Sequence, residues 1–132
     1  MILGNVSLRC EAMLPLVVDN ANGKQQVIDA VIDTGFNGFL TLPPEIISKL
    51  DLPWSGSDTV TLGDGSETLF DIYSARIIWD GQLREIDIAE SETEPLIGMG
   101  LLYGYKLQIE VIERGIVTIT AIAVMQNLGD EG

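Results

Sequence analysis

Short runs of Val, Ile, Leu and Thr, each cut off by Gly, Asn, Asp or Pro, recur along the whole chain. That punctuation constrains the fold more than any other feature. Apolar, β-branched runs bounded by turn residues predict mostly β structure. With 132 residues, 46% of them hydrophobic, the chain can bury a core as one domain without disulfide or metal staples. The expected domain is residues 1–126, with 127–132 as a flexible acidic tail.

The runs and turns place the elements. Val6 to Asp19 reads as one or two strands, interrupted at Pro15. Asn22-Gly23 is a strong hairpin signal, and Lys24 to Ile32 is its returning arm. Phe36 to Leu42 leads on as a short strand that Pro43-Pro44 stops. Glu45 to Leu50 is a short helix, with Pro44 at its start and Glu45 near its positive end. Asp51 to Asp58 reads as a loop whose Trp54 lids the core. Thr59 to Leu62 and Leu69 to Trp79 are the arms of a hairpin. Its tip, Gly63, Asp64, Gly65 and Ser66, is either a plain surface turn or a mobile flap, since two glycines in four residues lower the cost of rearrangement. Leu83 to Ala89 alternates, Ile86 and Ile88 against Glu85 and Asp87. Glu90 to Glu94 is a solvated acidic loop without the spacing of a calcium loop. Leu96-Ile97 is a short apolar strand ending at Gly98, and Met99 to Tyr103 is a helical turn. Lys106 to Glu113 alternates as a strand, with Leu107, Ile109 and Val111 on one face. Ile116 to Met125 is almost wholly apolar, which predicts a strand covered on both faces.

Val31 and Ile32 run straight into Asp33, Thr34, Gly35 and Phe36. A carboxylate at the end of a buried strand needs a reason, because an unpaired buried charge is costly. Either the three residues are an ordinary turn, or Asp33 is a catalytic acid. Composition narrows the chemistry. The chain has no histidine and one cysteine, Cys10. That excludes Ser-His and Cys-His nucleophiles and leaves no Cys cluster for zinc, so no metal or cofactor is expected. A hydrolase of this composition would use carboxylates as acid and base. A net charge of −13, from 7 basic and 20 acidic residues, disfavours nucleic acid and anionic membrane as partners. With no long apolar run and no signal-peptide pattern at Met1 to Asn5, the expected location is cytoplasmic.

Three features in order resemble the retropepsin-like aspartic peptidases of clan AA. They are Val31-Ile32-Asp33-Thr34-Gly35, the hairpin Leu62-Gly63-Asp64-Gly65-Ser66, and Leu96-Ile97-Gly98 followed by Met99-Gly100-Leu101-Leu102. The similarity spans about Val17 to Ile119. Phe36 to Pro43 looks like a bacterial and archaeal subgroup with Asp-Thr-Gly-Phe at the active loop. The resemblance implies a single-lobe, mainly β, closed acid-protease barrel with one or two short helices. It implies Asp33 as the catalytic carboxylate. Thr34 would brace two active loops against each other, and Gly35 would offer its N–H to the carboxylate. Leu96, Ile97 and Gly98 would support the loop, and Gly63 to Ser66 would form the flap over substrate. Phe36, where such peptidases often carry Ala or Ser, would narrow the cleft or reshape the surroundings of the dyad.

Carboxylate-catalysed peptide hydrolysis needs a base and an acid, and two Asp side chains sharing a proton supply both. The chain has one Asp-Thr-Gly. The expected enzyme is therefore a homodimer with Asp33 of each copy at a two-fold axis, acting on peptides or unfolded protein. The resemblance implies the N-terminal and C-terminal strands as the interface; the apolar run from Ile116 to Met125 offers itself for this independently, or is an inner strand of the barrel that needs no second copy. The alternative is a non-catalytic barrel of the same fold, used for dimerisation or peptide binding.

Overall fold

The computed structural model describes residues 1–61 and 63–123, with only the backbone of Val60. Turn chemistry and alternation produce ten strands and two short helices among them. They are β1 (Ile2–Val6), β2 (Ala12–Asp19), β3 (Gln25–Ile32), β4 (Leu40–Leu42), α1 (Pro44–Lys49), β5 (Trp54–Thr61), β6 (Glu67–Trp79), β7 (Gln82–Glu90), β8 (Leu96–Ile97), α2 (Met99–Leu102), β9 (Tyr105–Ile109) and β10 (Ile116–Ala121). All ten strands join one sheet in the order β5-β6-β7-β4-β8-β3-β2-β1-β10-β9. An additional pairing of β6 with β2 turns the sheet back on itself. The strands β2, β3, β8, β4, β7 and β6 thus form a closed ring of hydrogen-bonded neighbours.

The core fills that ring. Leu14, Leu16 and Val18 of β2 face Ile77 of β6, Ile88 of β7 and Ile97 of β8, all buried. Burying each such side chain contributes about 1.5–3 kcal/mol before chain entropy is counted. In β7 the alternation reads as the sequence predicts: Ile86 and Ile88 are buried, and Glu85 and Asp87 are exposed. The β2–β3 hairpin closes at Asn20, whose side-chain oxygen accepts from the N–H groups of Asn22 and Lys24 at 2.8 and 3.1 Å. Among the described residues no helix is long and apolar enough to cross a membrane.

Four expectations change. Pro15 does not interrupt β2. It pairs with Asp29 of β3, and on its other side β2 meets β1 only at Ala12 and Met13 and β6 only at Val18 and Asp19. A residue without an N–H is tolerated in that gap. Trp54 is no lid: it starts β5, is 62% exposed, and its indole N–H donates to Asp71. Tyr105 to Ile109 form β9, which ends before the exposed Val111. The run from Ile116 is not covered on both faces. In β10, Val117 and Ile119 are buried while Ile116 and Thr120 are exposed. The positions 124–132, including the rest of that run and the expected tail, lie outside the described residues, as does Leu62.

Among the described residues one charged side chain is buried. Asp19, 4% exposed, accepts from the Ala21 N–H at 2.7 Å, from the Arg76 guanidinium at 2.7 and 3.0 Å, and from Gln25 at 3.2 Å. The Ala21 N–H first, and then Arg76, hold its carboxyl below the ordinary 3.8. A depressed folded-state pKa stabilises the fold above the unfolded value, and that contribution is lost as pH falls through the folded value. Asp19→Asn should therefore lower Tm by several degrees at about pH 6 and much less at about pH 2. Equal Tm differences at both ends of a thermal-melt series would contradict this. Glu11 works in the opposite sense: burial, then Glu94, push its carboxyl up. The difference between the two chains isolates Asp19.

Candidate active site

Two strands that run parallel build the site. β3 and β8 pair Val31 with Leu96 and Ile32 with Ile97. At the end of β3 the Asp33 N–H donates to the Ile97 carbonyl at 2.8 Å, so the chain leaves the sheet with its first loop residue fixed. The Phe36 N–H then donates to the Asp33 carbonyl at 3.1 Å and closes a tight turn. Inside that turn the Gly35 N–H donates to Asp33 Oδ1 at 2.9 Å. An N–H aimed at a carboxylate oxygen fixes its orientation.

The segment after β8 grips the same loop from behind. The Gly98 N–H donates to Phe39, the Met99 N–H to Phe36 and the Gly100 N–H to Gly38, at 3.1, 2.8 and 3.0 Å. Leu96 is held at its own N–H by the Thr41 hydroxyl at 3.0 Å. Leu96, Ile97 and Gly98 therefore lie behind the Asp33 loop. The fit at Gly98 is backbone on backbone: a Cβ there would lie 2.3 Å from the Gly38 carbonyl oxygen and 2.8 Å from that of Phe36.

Phe36 does not project into a cleft. It is 1% exposed and packs with Ala89, Phe70, Ile72 and Leu96, so the expected narrowing is replaced by a wedge beneath the loop. Gly38 makes room for it, since a Cβ at Gly38 would sit 2.6 Å from Phe36 Cζ. Gly38→Ala should cost about 1–3 kcal/mol through overpacking. Because the obstacle is one ring and not backbone, the double variant Phe36→Leu/Gly38→Ala should lose less than the two single losses added together. Additive losses in urea melts would show that the ring is not the obstacle.

The β5–β6 hairpin folds over Asp33. A Cβ on Gly35 would lie 2.6 Å from the Cα of Gly63, and one on Gly63 would lie 3.7 and 3.8 Å from the two Asp33 carboxylate oxygens. The tip thus rests on the loop. Next to Gly63, Asp64 accepts from the Ser66 hydroxyl at 2.6 Å and its N–H at 2.9 Å, which holds the Asp64 carboxyl below its ordinary value. The Thr61 N–H donates to the Asn37 side-chain oxygen at 3.1 Å and ties the hairpin to the loop.

Asn37, Gly38 and Thr41 are absent from the sequence reading of the site. The Asn-Gly pair two residues after Gly35 was the available signal for the first two. For Thr41 it was one hydroxyl between Leu40 and Leu42 in a buried strand, since a buried polar group needs a partner. Thr34 is exposed. It borders two concavities, one lined by Ile32, Ile109 and Val111, the other by Met99, Tyr103 and Leu107.

The fold that carries this loop is found again in a solved structure. The chain is similar to a retropepsin-like aspartic protease from Rickettsia conorii, at 17% identity and a TM-score of 0.55. The likeness covers 92% of this chain and 91% of that one. The fold is retropepsin-like. No family model matches the chain, and no curated protein sequence does. Within this retropepsin-like fold, Asp33 stands where the two parallel strands end beneath the hairpin.

Proposed function

We propose that the chain is an aspartic endopeptidase that works as a homodimer, with Asp33 of each copy sharing one proton. The observation that carries this reading is the Asp33 carboxylate itself. It is oriented by the Gly35 N–H, in a loop held by four backbone hydrogen bonds to residues 97–100, beneath the hairpin of a retropepsin-like fold. One carboxylate cannot be base and acid in the same step. Two close together cannot both ionise, so one stays protonated. The charged Asp33 takes a proton from water as the water attacks the peptide carbonyl carbon. The protonated Asp33 gives its proton to the carbonyl oxygen. Collapse of the tetrahedral intermediate breaks the C–N bond as a proton passes to the leaving nitrogen.

The second carboxylate comes from another copy, because the chain has a single Asp-Thr-Gly. The exposed Thr34, with Met99, Tyr103 and Val111 exposed around it, supports a face for that copy. The edges of β10 are already filled by β1 and β9, so we place the contact on this face and not on the edges of that strand. The test is cleavage of unfolded protein or of peptides across a series from about pH 3 to pH 7, since two coupled carboxylates give a pH-dependent rate. Turnover that survives Asp33→Asn would sink the proposal. The close packing of Gly63 against Gly35, which sets the hairpin tip down on the Asp33 loop, favours a second reading in which the fold only binds peptide. Its signature is equal peptide binding by the unaltered chain and Asp33→Asn, with no turnover by either.

A further inference from the structure

We propose that the cavity between the Asp33 loop and the base of the hairpin is a subsite for one lysine or arginine side chain of the substrate. This rests on the peptidase reading above and names its substrate class. The cavity, about 200 Å³, has an apolar floor to which the half-buried Phe39 and Ile72 give side-chain surface, with the buried Phe36 and Ala89 beneath them. Asp58 of β5 and Asp87 of β7 also line it, and both are exposed. Drug-sized ligands and cofactors occupy pockets of roughly 300–1,000 Å³. This one suits a single side chain.

Its chemistry selects which. A lysine or arginine lays its methylene stem on apolar surface and keeps its charge at the polar edge. Here the floor would take the stem and the two carboxylates the cation. No lysine or arginine lines the cavity, and neither aspartate is in an ion pair among the described residues. Asp58 accepts a hydrogen bond from the Thr59 N–H at 2.8 Å, and a carboxylate has several acceptor positions left after one such bond. Phe39 already receives one cation: the Arg84 guanidinium carbon lies 5.7 Å from its ring centre, from outside the cavity lining. With 20 acidic against 7 basic residues in the chain, a cation for this site is best supplied by the substrate.

The cavity is also in the right place. It starts at Phe36, whose N–H is bonded to the Asp33 carbonyl, and includes Asn37, which bonds the hairpin. A peptide extended beneath the hairpin would put one side chain there, close to the bond being cut.

The experiment uses Asp33→Asn, which binds without turnover, and fluorescent peptides in which one lysine is moved along a neutral sequence. A parallel set carries norleucine, the same stem without the charge. Lysine should raise affinity about 5- to 10-fold over norleucine at one position, as two exposed ion pairs would. That gain should vanish in Asp33→Asn/Asp58→Asn/Asp87→Asn. Equal affinity of lysine and norleucine at every position would overturn the proposal. So would a gain that is the same at all positions, or one that persists without the two carboxylates, since general attraction to an acidic chain would explain both. Because the readout is binding, the two readings fail separately: absence of turnover in the unaltered chain would bring down the peptidase reading, whereas only the lysine–norleucine comparison can bring down the selectivity of the cavity.

Discussion

Asp33→Asn should fold as the unaltered chain does and cleave peptides roughly 10³-fold more slowly or worse. The fold survives because an amide oxygen can still accept the Gly35 N–H that Asp33 Oδ1 accepts now. The chemistry does not, because an amide neither takes a proton from water nor gives one to the carbonyl. The assembly makes this prediction sharper. If equal amounts of the two chains exchange subunits freely, about a quarter of the dimers hold two Asp33 carboxylates, so about a quarter of the activity remains. If each chain carried a complete site, half would remain. Measuring kcat/KM across a series of mixing ratios separates a squared dependence from a linear one. A linear dependence would remove the shared dyad from the mechanism even with Asp33 essential.

Gly98→Ala should lose roughly 3 kcal/mol or more, or fail to accumulate as folded protein. The added methyl would meet two backbone carbonyl oxygens, those of Gly38 and Phe36, and the Phe36 ring. Those carbonyls cannot step aside cheaply. Each accepts a backbone hydrogen bond, from Gly100 and Met99 respectively, and those bonds fasten the Asp33 loop. Relief of the clash therefore breaks the same contacts that orient the carboxylate. Gly65→Ala is the useful comparison. At the hairpin tip nothing lies within 4 Å of the added atom, and only its positive φ of 84° opposes the change. That loss should be about 1 kcal/mol. Urea denaturation of both variants gives the contrast, and similar midpoints would show that the packing behind the loop tolerates a methyl.

The sequence made the Asp33 loop legible because its parts are contiguous: two apolar residues, a carboxylate, a hydroxyl and a glycine. The Leu96-Ile97-Gly98 strand was legible for the same reason. What could not be read was how these pieces meet. Phe36 looks like an obstruction when taken as a bulky residue in a loop. Only the approach of Gly38 and Gly98, the latter 62 positions further on, gives its ring a place underneath. Trp54 misleads in a similar way. A tryptophan between Pro53 and Ser55 suggests burial, but a register shift between Trp54 and Gly56 starts β5 there and leaves the ring outside, bonded to Asp71. Pro15 stays in its strand because of which neighbours β2 lacks, a property of the whole sheet. In the C-terminal run, Thr118 and Thr120 break an otherwise apolar series, and the structure takes this as alternation.

The length of β6 has a mechanical consequence. Its C-terminal part, from Ile72 to Trp79, is bonded to β7, and Arg76 and Ile77 pair with β2 as well. From Glu67 to Asp71 it is bonded to β5 alone. The hairpin over Asp33 is thus a cantilever clamped in the sheet at one end and held near its tip, among the described residues, only by the Thr61–Asn37 bond and the packing of Gly63 on Gly35. Deflection should concentrate near Ile72, where the number of bonded neighbours changes. Hydrogen–deuterium exchange should record this as a gradient within one strand, fast at Thr68 and Leu69 and slowest at Ile77.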